Sequence, residues 1–400
     1  MPARSSSNAL AAYLGLVQFF FATTWTVYVI YLPQLAQQAG IARTWVPWIL
    51  LADQLIFAIT DVVTGFWVDR VRTQLARFGG WILGFTAISC AAFVVLPFFA
   101  ASQAVLLVAI LVWSITSSAL RSPPWALLAR HAAAPSVPWL SALVLTGSAL
   151  AAAAAPYLGI ALRGVDPRVP FVLSTLTLLA AVGGLVYAER RAAAGDAVPA
   201  APAPDSSPRR TALFFAALLV MATGFQVHFT LNSAPQYLRF TVQAELPYLL
   251  PVFWIGFNLA MFPASRGVKR WGPLPLMALA AAAGAIATLA CVIAPGLNTL
   301  MAAQFIAGGC WGAASVAAYS GAIGFGRTGR EGRFLGTLFA TLAIATLTRI
   351  AMTASGLAAA ADFKTLLPWL PEIAWLLAAL MLLTSARARS PTRPGSARPG

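Results

Sequence analysis

Charge-free apolar stretches recur along this chain at lengths that match one crossing of a lipid bilayer. Ala104–Ser118, Phe171–Ala188, Leu213–Thr223 and Leu274–Pro295 contain no Asp, Glu, Lys or Arg. The longer ones reach the ~20 residues that a helix needs to span the hydrocarbon. Only 9% of the 400 residues are charged and 60% are hydrophobic. Soluble domains carry about 25% charged residues, so this chain lacks the polar groups to cover a water-facing surface. The alternating ~10-residue strands of a membrane β-barrel are missing. An all-α polytopic membrane protein is the fold class that remains.

The net charge of +15 would point to nucleic acid in a soluble protein. Here the charges sit in short loops between spans, so they read as topology signals and no nucleic-acid partner is expected. Cys90, Cys291 and Cys310 all lie inside apolar runs, with neither a disulfide framework nor metal-ligand spacing. No metal or cofactor is expected. Met1–Asn8 is polar and the apolar stretch after it is full length, so no cleavable signal is expected.

The pattern predicts spans at 9–32, 45–68, 79–100, 103–126, 138–162, 170–188, 211–236, 247–265, 273–294, 298–321, 333–357 and 365–385. An even number puts both termini on one side. The segments on that side hold 20 Lys and Arg, counting Arg121 near the cytoplasmic end of its span, against 5 on the other, with Arg349 inside a span, which predicts cytoplasmic termini. Two Lys against 24 Arg, with abundant Ala, suits a GC-rich bacterial genome and hence a bacterial inner membrane. Residues 189–210 form the longest hydrophilic interruption and read as a flexible linker. They separate a six-helix bundle at 1–188 from a second at 211–385, followed by a disordered cytoplasmic tail at 386–400 that can lie against anionic lipid headgroups.

The loop after the second span reads Gly65-Phe-Trp-Val-Asp69-Arg70-Val-Arg72-Thr73. It resembles the loop signature of the major facilitator superfamily, with Val71 in place of that signature's second Gly. Physically, Gly65 permits close helix contact, Asp69 can attract the positive end of a neighbouring helix, and Arg70 and Arg72 hold the loop at the inner surface. A weaker copy, Met261-Phe-Pro-Ala-Ser265-Arg266-Gly-Val-Lys269-Arg270, follows the eighth span. Two copies in equivalent places of two halves suit a duplicated transporter fold. The resemblance implies two pseudo-symmetric six-helix bundles.

A narrower resemblance covers much of the first half. Thr60-Asp61-Val-Val-Thr-Gly65 with its basic loop, then Arg77-Phe78, then Arg121-Ser-Pro123-Pro124-Trp125 and later Gly329-Arg330-Glu331-Gly332, is similar to the glycoside–pentoside–hexuronide cation symporters, the melibiose-permease group. That family's cation site implies two acids on the second span and one on the fourth. Asp61 matches one of them, Phe57 occupies the other, and Arg121 stands in place of the third. A sodium ion wants several oxygen ligands and an Arg repels it, so sodium coupling is not carried over. One carboxylate suffices for a proton, which makes H+ the expected coupling ion.

Asp53, Asp61, Arg121 and Arg349 fall inside spans. Each costs at least ~2.5–3.5 kcal/mol unless paired or facing water. Asp61 and Arg121 differ in depth by roughly 6 Å at 1.5 Å per residue, within reach of an Arg side chain. They form either a fixed stitch between spans two and four or an ion-coupling pair. Asp53 and Arg349 share a depth on the external side, on spans that the resemblance brings together across the halves, which suggests an external gate pair closed when the transporter faces inward. Arg349 alternatively anchors a substrate carboxylate or phosphate, or reaches the outer surface or a backbone carbonyl.

The resemblance places spans one, four, seven and ten around a central cavity. They contribute Gln18, Trp25, Tyr28, Trp113, Gln226, His228, Asn232, Gln236, Gln304, Trp311, Ser315 and Tyr319. Amides and aromatics suit a small solute bearing hydroxyls or a ring. Any one of them equally serves as inter-helix glue, and Trp25 and Tyr28 equally suit an external aromatic belt. His228 can relay protons or simply pack.

The expected function is secondary transport of a small polar solute, a sugar or an organic anion, by alternating access. A single chain suffices for it, with the lipid bilayer as its other partner. Two other classes compete: a transporter-fold assembly factor or receptor without transport, and a membrane-embedded enzyme. The chain shows no P-loop, no nucleophile with a base and no metal spacing, so no catalytic residue is assigned.

Overall fold

The computed structural model describes residues 2–70, 75–192, 207–327 and 329–387, and these are almost entirely helical. Arg72, most of the 189–210 linker and nearly all of the 386–400 tail lie outside the described residues. Among those described, twelve helices are long and apolar enough to cross a membrane. They are span one (Ser7–Gln38), two (Arg43–Arg70), three (Gly79–Phe98), four (Gln103–Ala129), five (Ala134–Ala161) and six (Arg168–Val186). The second set is seven (Pro208–Tyr237), eight (Gln243–Trp271), nine (Pro273–Ile293), ten (Leu297–Gly326), eleven (Glu331–Ala354) and twelve (Ala361–Thr384). Several run past the expected limits, span one by six residues at its second end.

The expected helices of spans four, seven and twelve are interrupted by irregular turns, and proline explains each. A proline lacks the backbone donor, and its ring clashes with the carbonyl four residues back. In span four, Pro123 and Pro124 open a new helix, Ser122–His131, and the chain before them tightens into a 3-10 turn at Ser118–Leu120. Arg121 sits at the joint with φ −95° and ψ −82°. In span seven, Pro235 follows a π-helical turn at His228–Asn232. In span twelve, Pro368 lies in a 3-10 turn at Leu367–Trp369 between two α-helical pieces. Each break exposes carbonyls that a regular helix would have used. Gln18 Nε2 donates to Leu120 O at 2.9 Å, and Asn232 Nδ2 donates to Leu367 O at 2.9 Å. The freed groups therefore tie neighbouring spans together, as backbone buried in lipid must.

Within the first six spans, three packs on four and six, and one packs on five and six. Within the last six, nine packs on ten and twelve, seven on eleven and twelve, and eight on ten. The two sets meet where span two packs on eleven and span five on eight. Large apolar side chains such as Ile286, 71% exposed, point outward, since lipid tails are as apolar as the core and give no reason to bury them.

Small residues set the closest approaches. A Cβ on Gly147 would lie 1.7 Å from Gly15 O, which welds spans one and five, and one on Gly308 would lie 1.8 Å from Phe253 O, between spans ten and eight. Gly147→Val and Gly308→Val should each push two backbones apart and cost about 1–3 kcal/mol or more by overpacking. A drop in melting temperature of the detergent-solubilised protein, with Gly296→Ala in open space as control, checks this.

Candidate functional site

At the arginine-rich end, the second and eleventh spans nearly touch. Cβ atoms built on Gly65 and Gly332 would lie 2.4 Å and 2.5 Å from the other glycine's carbonyl oxygen. That proximity carries Asp69 onto the first turn of span eleven, where its Oδ1 accepts from Gly332 N at 2.7 Å and its Oδ2 from Arg333 N at 2.8 Å. The first four N–H groups of a helix have no intrahelical partner and carry a partial positive charge. Asp69 thus caps a helix from the other half of the chain. Arg333 lies over the Phe66 ring at 5.0 Å, and Arg70 is exposed.

About two turns deeper, Asp61 is completely buried. Arg121 Nε lies 3.1 Å from its Oδ2, close enough for an ion pair yet off the line of a hydrogen bond, and neither carboxylate oxygen accepts one. The break in span four is what turns Arg121 toward span two. Its guanidinium lies 4.8 Å from the Phe57 ring and 5.4 Å from the Phe339 ring, so it is held by a ring from each half of the chain. Alongside, Thr60 and Ser118 hydroxyls meet at 2.5 Å, and Tyr319 packs on Trp125 at 4.1 Å and on Phe339 at 5.6 Å. Charge and rings together plug the seam between the halves.

Asp53 does not meet Arg349. Tyr28 Oη donates to Asp53 Oδ2 at 2.7 Å and Ser114 Oγ donates to Oδ1 at 2.7 Å, so both carboxylate oxygens are taken within the first half. Arg349 is partly buried, and its Nε has no hydrogen-bond partner. Matching depth on two spans that do pack together does not by itself join them. Two neutral hydroxyls satisfy Asp53 without any countercharge, and the guanidinium is left over.

The remaining candidates fall into two sets. In the first half, Trp25 stacks on Trp113 at 5.8 Å, and Tyr28 packs on Trp113 at 4.6 Å. Tyr28 is fully buried, which excludes it from an external aromatic belt in this conformation. In the second half, Gln304 is the hub of a buried amide network: its Oε1 accepts from His228 Nε2 at 3.0 Å and its Nε2 donates to Gln236 Oε1 at 3.0 Å. Gln226 Nε2 donates to Thr346 Oγ1 of span eleven at 2.9 Å. Trp311 stacks on Phe225 at 4.5 Å, and Ser315 donates back to Trp311 O at 2.8 Å. Gln18, Asn232 and the Gln304 network all serve here as ties between helices. Two cavities, of about 610 Å³ beside Tyr31 and Arg163 and about 670 Å³ beside Lys269 and Arg327, are lined by none of the candidates.

Several residues of this region escaped the sequence reading. Phe339 touches Arg121, and Phe225, Phe229 and Trp254 form a ring cluster with Trp311. Trp254 and Asn258 stand four residues apart on span eight, a spacing that puts both on one helix flank.

Removing one partner of a buried ion pair strands the other, at about 3–5 kcal/mol, whereas removing both is far milder. Arg121→Gln alone should therefore lower the melting temperature more than the double substitution Asp61→Asn with Arg121→Gln. Thermal unfolding of the two single variants and the double variant in detergent checks this.

No curated protein sequence matches the chain. Solved structures of the same fold do. The human organic anion transporter MFSD10 (TETRAN) superposes with a TM-score of 0.68 at 16% identity, covering 96% of this chain and 100% of that one. A bacterial homologue of the iron transporter ferroportin, in an outward-facing state, gives 0.73 at 14% identity over 94% and 99%. The Escherichia coli fucose:proton symporter FucP gives 0.67 at 15% identity over 96% and 98%. The sequence profile described as Major Facilitator Superfamily matches residues 14–348, and with twelve spans packed in that fold, the chain belongs to this superfamily of membrane transporters.

Proposed function

We propose that the protein is a proton-coupled secondary carrier of a small polar solute. The observation that carries this reading is the buried Asp61–Arg121 pair, lodged where rings from both halves meet. A proton on Asp61 removes the charge that holds Arg121, and the plug between Phe57 and Phe339 then loosens. The two six-helix halves, 1–188 and 211–385, rock about that seam and expose it alternately to each side. The arginine-rich end and both termini face the cytoplasm of a bacterial cell, by the positive-inside rule.

On this reading the conformation described is closed at the cytoplasmic end, by the Asp69 cap and the Trp125–Tyr319 contact. Asp53 and Arg349 then form their pair only when the other end closes. The neighbours' names support solute transport in two flavours, since one is called a fucose:proton symporter and another an organic anion transporter. The likeness of the 60–73 segment to the glycoside–pentoside–hexuronide group favours a sugar. The uncompensated guanidinium of Arg349 favours an anion, and it is the stronger argument because an unpaired charge in a membrane demands a partner.

Everted membrane vesicles carrying the protein should show a pH change on addition of the right solute, screened across sugars, glycosides and small carboxylates. Asp61→Asn should reduce that flux at least tenfold. A mutant that keeps full flux removes Asp61 from the coupling site. Silence with every solute, from a protein shown to be folded, would leave uncoupled exchange or a non-transport role.

A further inference from the structure

The second half contains a cluster of rings with unpartnered polar atoms beside it that the coupling pair does not use. Phe225 and Phe229 of span seven reach Trp254 of span eight at 6.0 and 5.3 Å, and Phe225 stacks flat on Trp311 of span ten at 4.5 Å and 11°. The first half repeats the arrangement, with Trp25 of span one stacked on Trp113 of span four at 5.8 Å and 15°. Flat ring pairs therefore occur on corresponding spans of both halves. Only the second carries unsatisfied polar atoms beside it. Trp254 Nε1, a donor, and Asn258 Oδ1, an acceptor, are both buried without a partner, although the Asn258 amide nitrogen is occupied by Trp254 O at 2.9 Å. Buried polar atoms are almost always hydrogen-bonded in proteins. A donor and an acceptor orphaned on one helix flank, against a wall of rings, match a group that can do both, namely a hydroxyl. The third orphan is Arg349 Nε, one turn along span eleven from Thr346, whose hydroxyl accepts from Gln226, the residue next to Phe225.

Resting on the carrier reading above, we infer that the solute is a ring-bearing organic anion with a hydroxyl group, such as a hydroxylated aromatic carboxylate. Its ring lies against Phe225, Phe229 and Trp311, its hydroxyl accepts from Trp254 Nε1 and donates to Asn258 Oδ1, and its carboxylate pairs with Arg349. Each orphaned atom thereby gains a partner of the right polarity. Ring stacking is worth about 0.5–1.5 kcal/mol beyond area burial. A hydrogen-bonding site rejects analogues that leave its buried groups unpaired.

Calorimetric titration of the purified protein in nanodiscs with 4-hydroxybenzoate, benzoate, acetate and methyl β-glucopyranoside tests this. The expected order is 4-hydroxybenzoate tightest, benzoate at least tenfold weaker, and acetate and the glucoside without measurable binding. Trp254→Phe, which keeps the ring and loses the N–H, and Asn258→Leu should each weaken 4-hydroxybenzoate about tenfold while leaving benzoate within twofold. Arg349→Gln should abolish binding of both aromatic acids. Because a variant can misfold, each is compared at a melting temperature within a few degrees of the parent, and the ligand series on the unaltered protein stands by itself. Tighter binding of acetate or the glucoside, equal binding of benzoate and 4-hydroxybenzoate, or no binding of any of the four overturns the assignment. Equilibrium binding needs no proton movement, so the two readings fail separately. A glucoside that drives proton flux sinks the ligand class and spares the carrier, whereas 4-hydroxybenzoate that binds without any flux sinks the coupling and spares the subsite.

Discussion

A carboxylate with no hydrogen bonds, sealed inside an apolar bundle, is tolerable only with a countercharge within one side-chain length. Asp61 and Arg121 meet that condition, and much of the surrounding architecture exists to let them. Arg121 belongs to span four, and a continuous helix there would run on without the joint at which it turns. Pro123 and Pro124 force the joint. The freed carbonyl of Leu120 is taken up by Gln18 from span one, so the break ties two spans together. Above the pair, Phe57 and Phe339 supply a polarisable wall on both sides of the guanidinium. Below it, Gly336 brings span eleven so near that an added Cβ would lie 2.3 Å from Asp61 O.

The contact at Asp69 obeys different physics. It lies at the arginine-rich end, in reach of water, and its strength comes from two charge-assisted hydrogen bonds to the amides of a helix terminus. Such a contact opens without stranding a charge, because water can replace either partner. The buried pair cannot be opened so cheaply. On the proposed reading, a lock that water can relieve and a pair that only protonation relieves, both anchored on span two, give the seam one easy and one conditional release.

The twelve spans and the superfamily were legible because bilayer thickness and the charge of short loops leave strong marks on composition. Asp61 with Arg121 was legible for a related reason: rare intramembrane charges must find each other, and helical rise gives their depth. The same logic is blind to what holds Asp53 in this conformation, since it counts charges and overlooks that the hydroxyls of Tyr28 and Ser114 satisfy both oxygens of its carboxylate. Trp254 and Asn258 were missed because hydropathy says that a residue is in a span but not which flank faces which neighbour. Proline positions were visible throughout. Their effect on Arg121 was not, because a helix break redirects a side chain only relative to partners that folding supplies.

The two halves divide the chemistry unevenly. Both buried aspartates belong to the first half, while the second offers amides, a histidine bonded to Gln304, and an arginine without a partner. On the proposed reading the first half holds the proton and the second the solute, and the magnitudes allow it. Moving a two-state equilibrium from 1:99 to 99:1 takes about 5.5 kcal/mol of differential stabilisation. Disrupting a buried ion pair on one side supplies about 3–5 kcal/mol, and charge-assisted hydrogen bonds of the kind made by Asp69 contribute about 1.5–3 kcal/mol each. Protonation alone falls just short of a full switch. A solute that neutralises Arg349 in one state and not the other closes the gap, so neither proton nor solute moves the seam efficiently without the other, and that mutual need is what coupling requires.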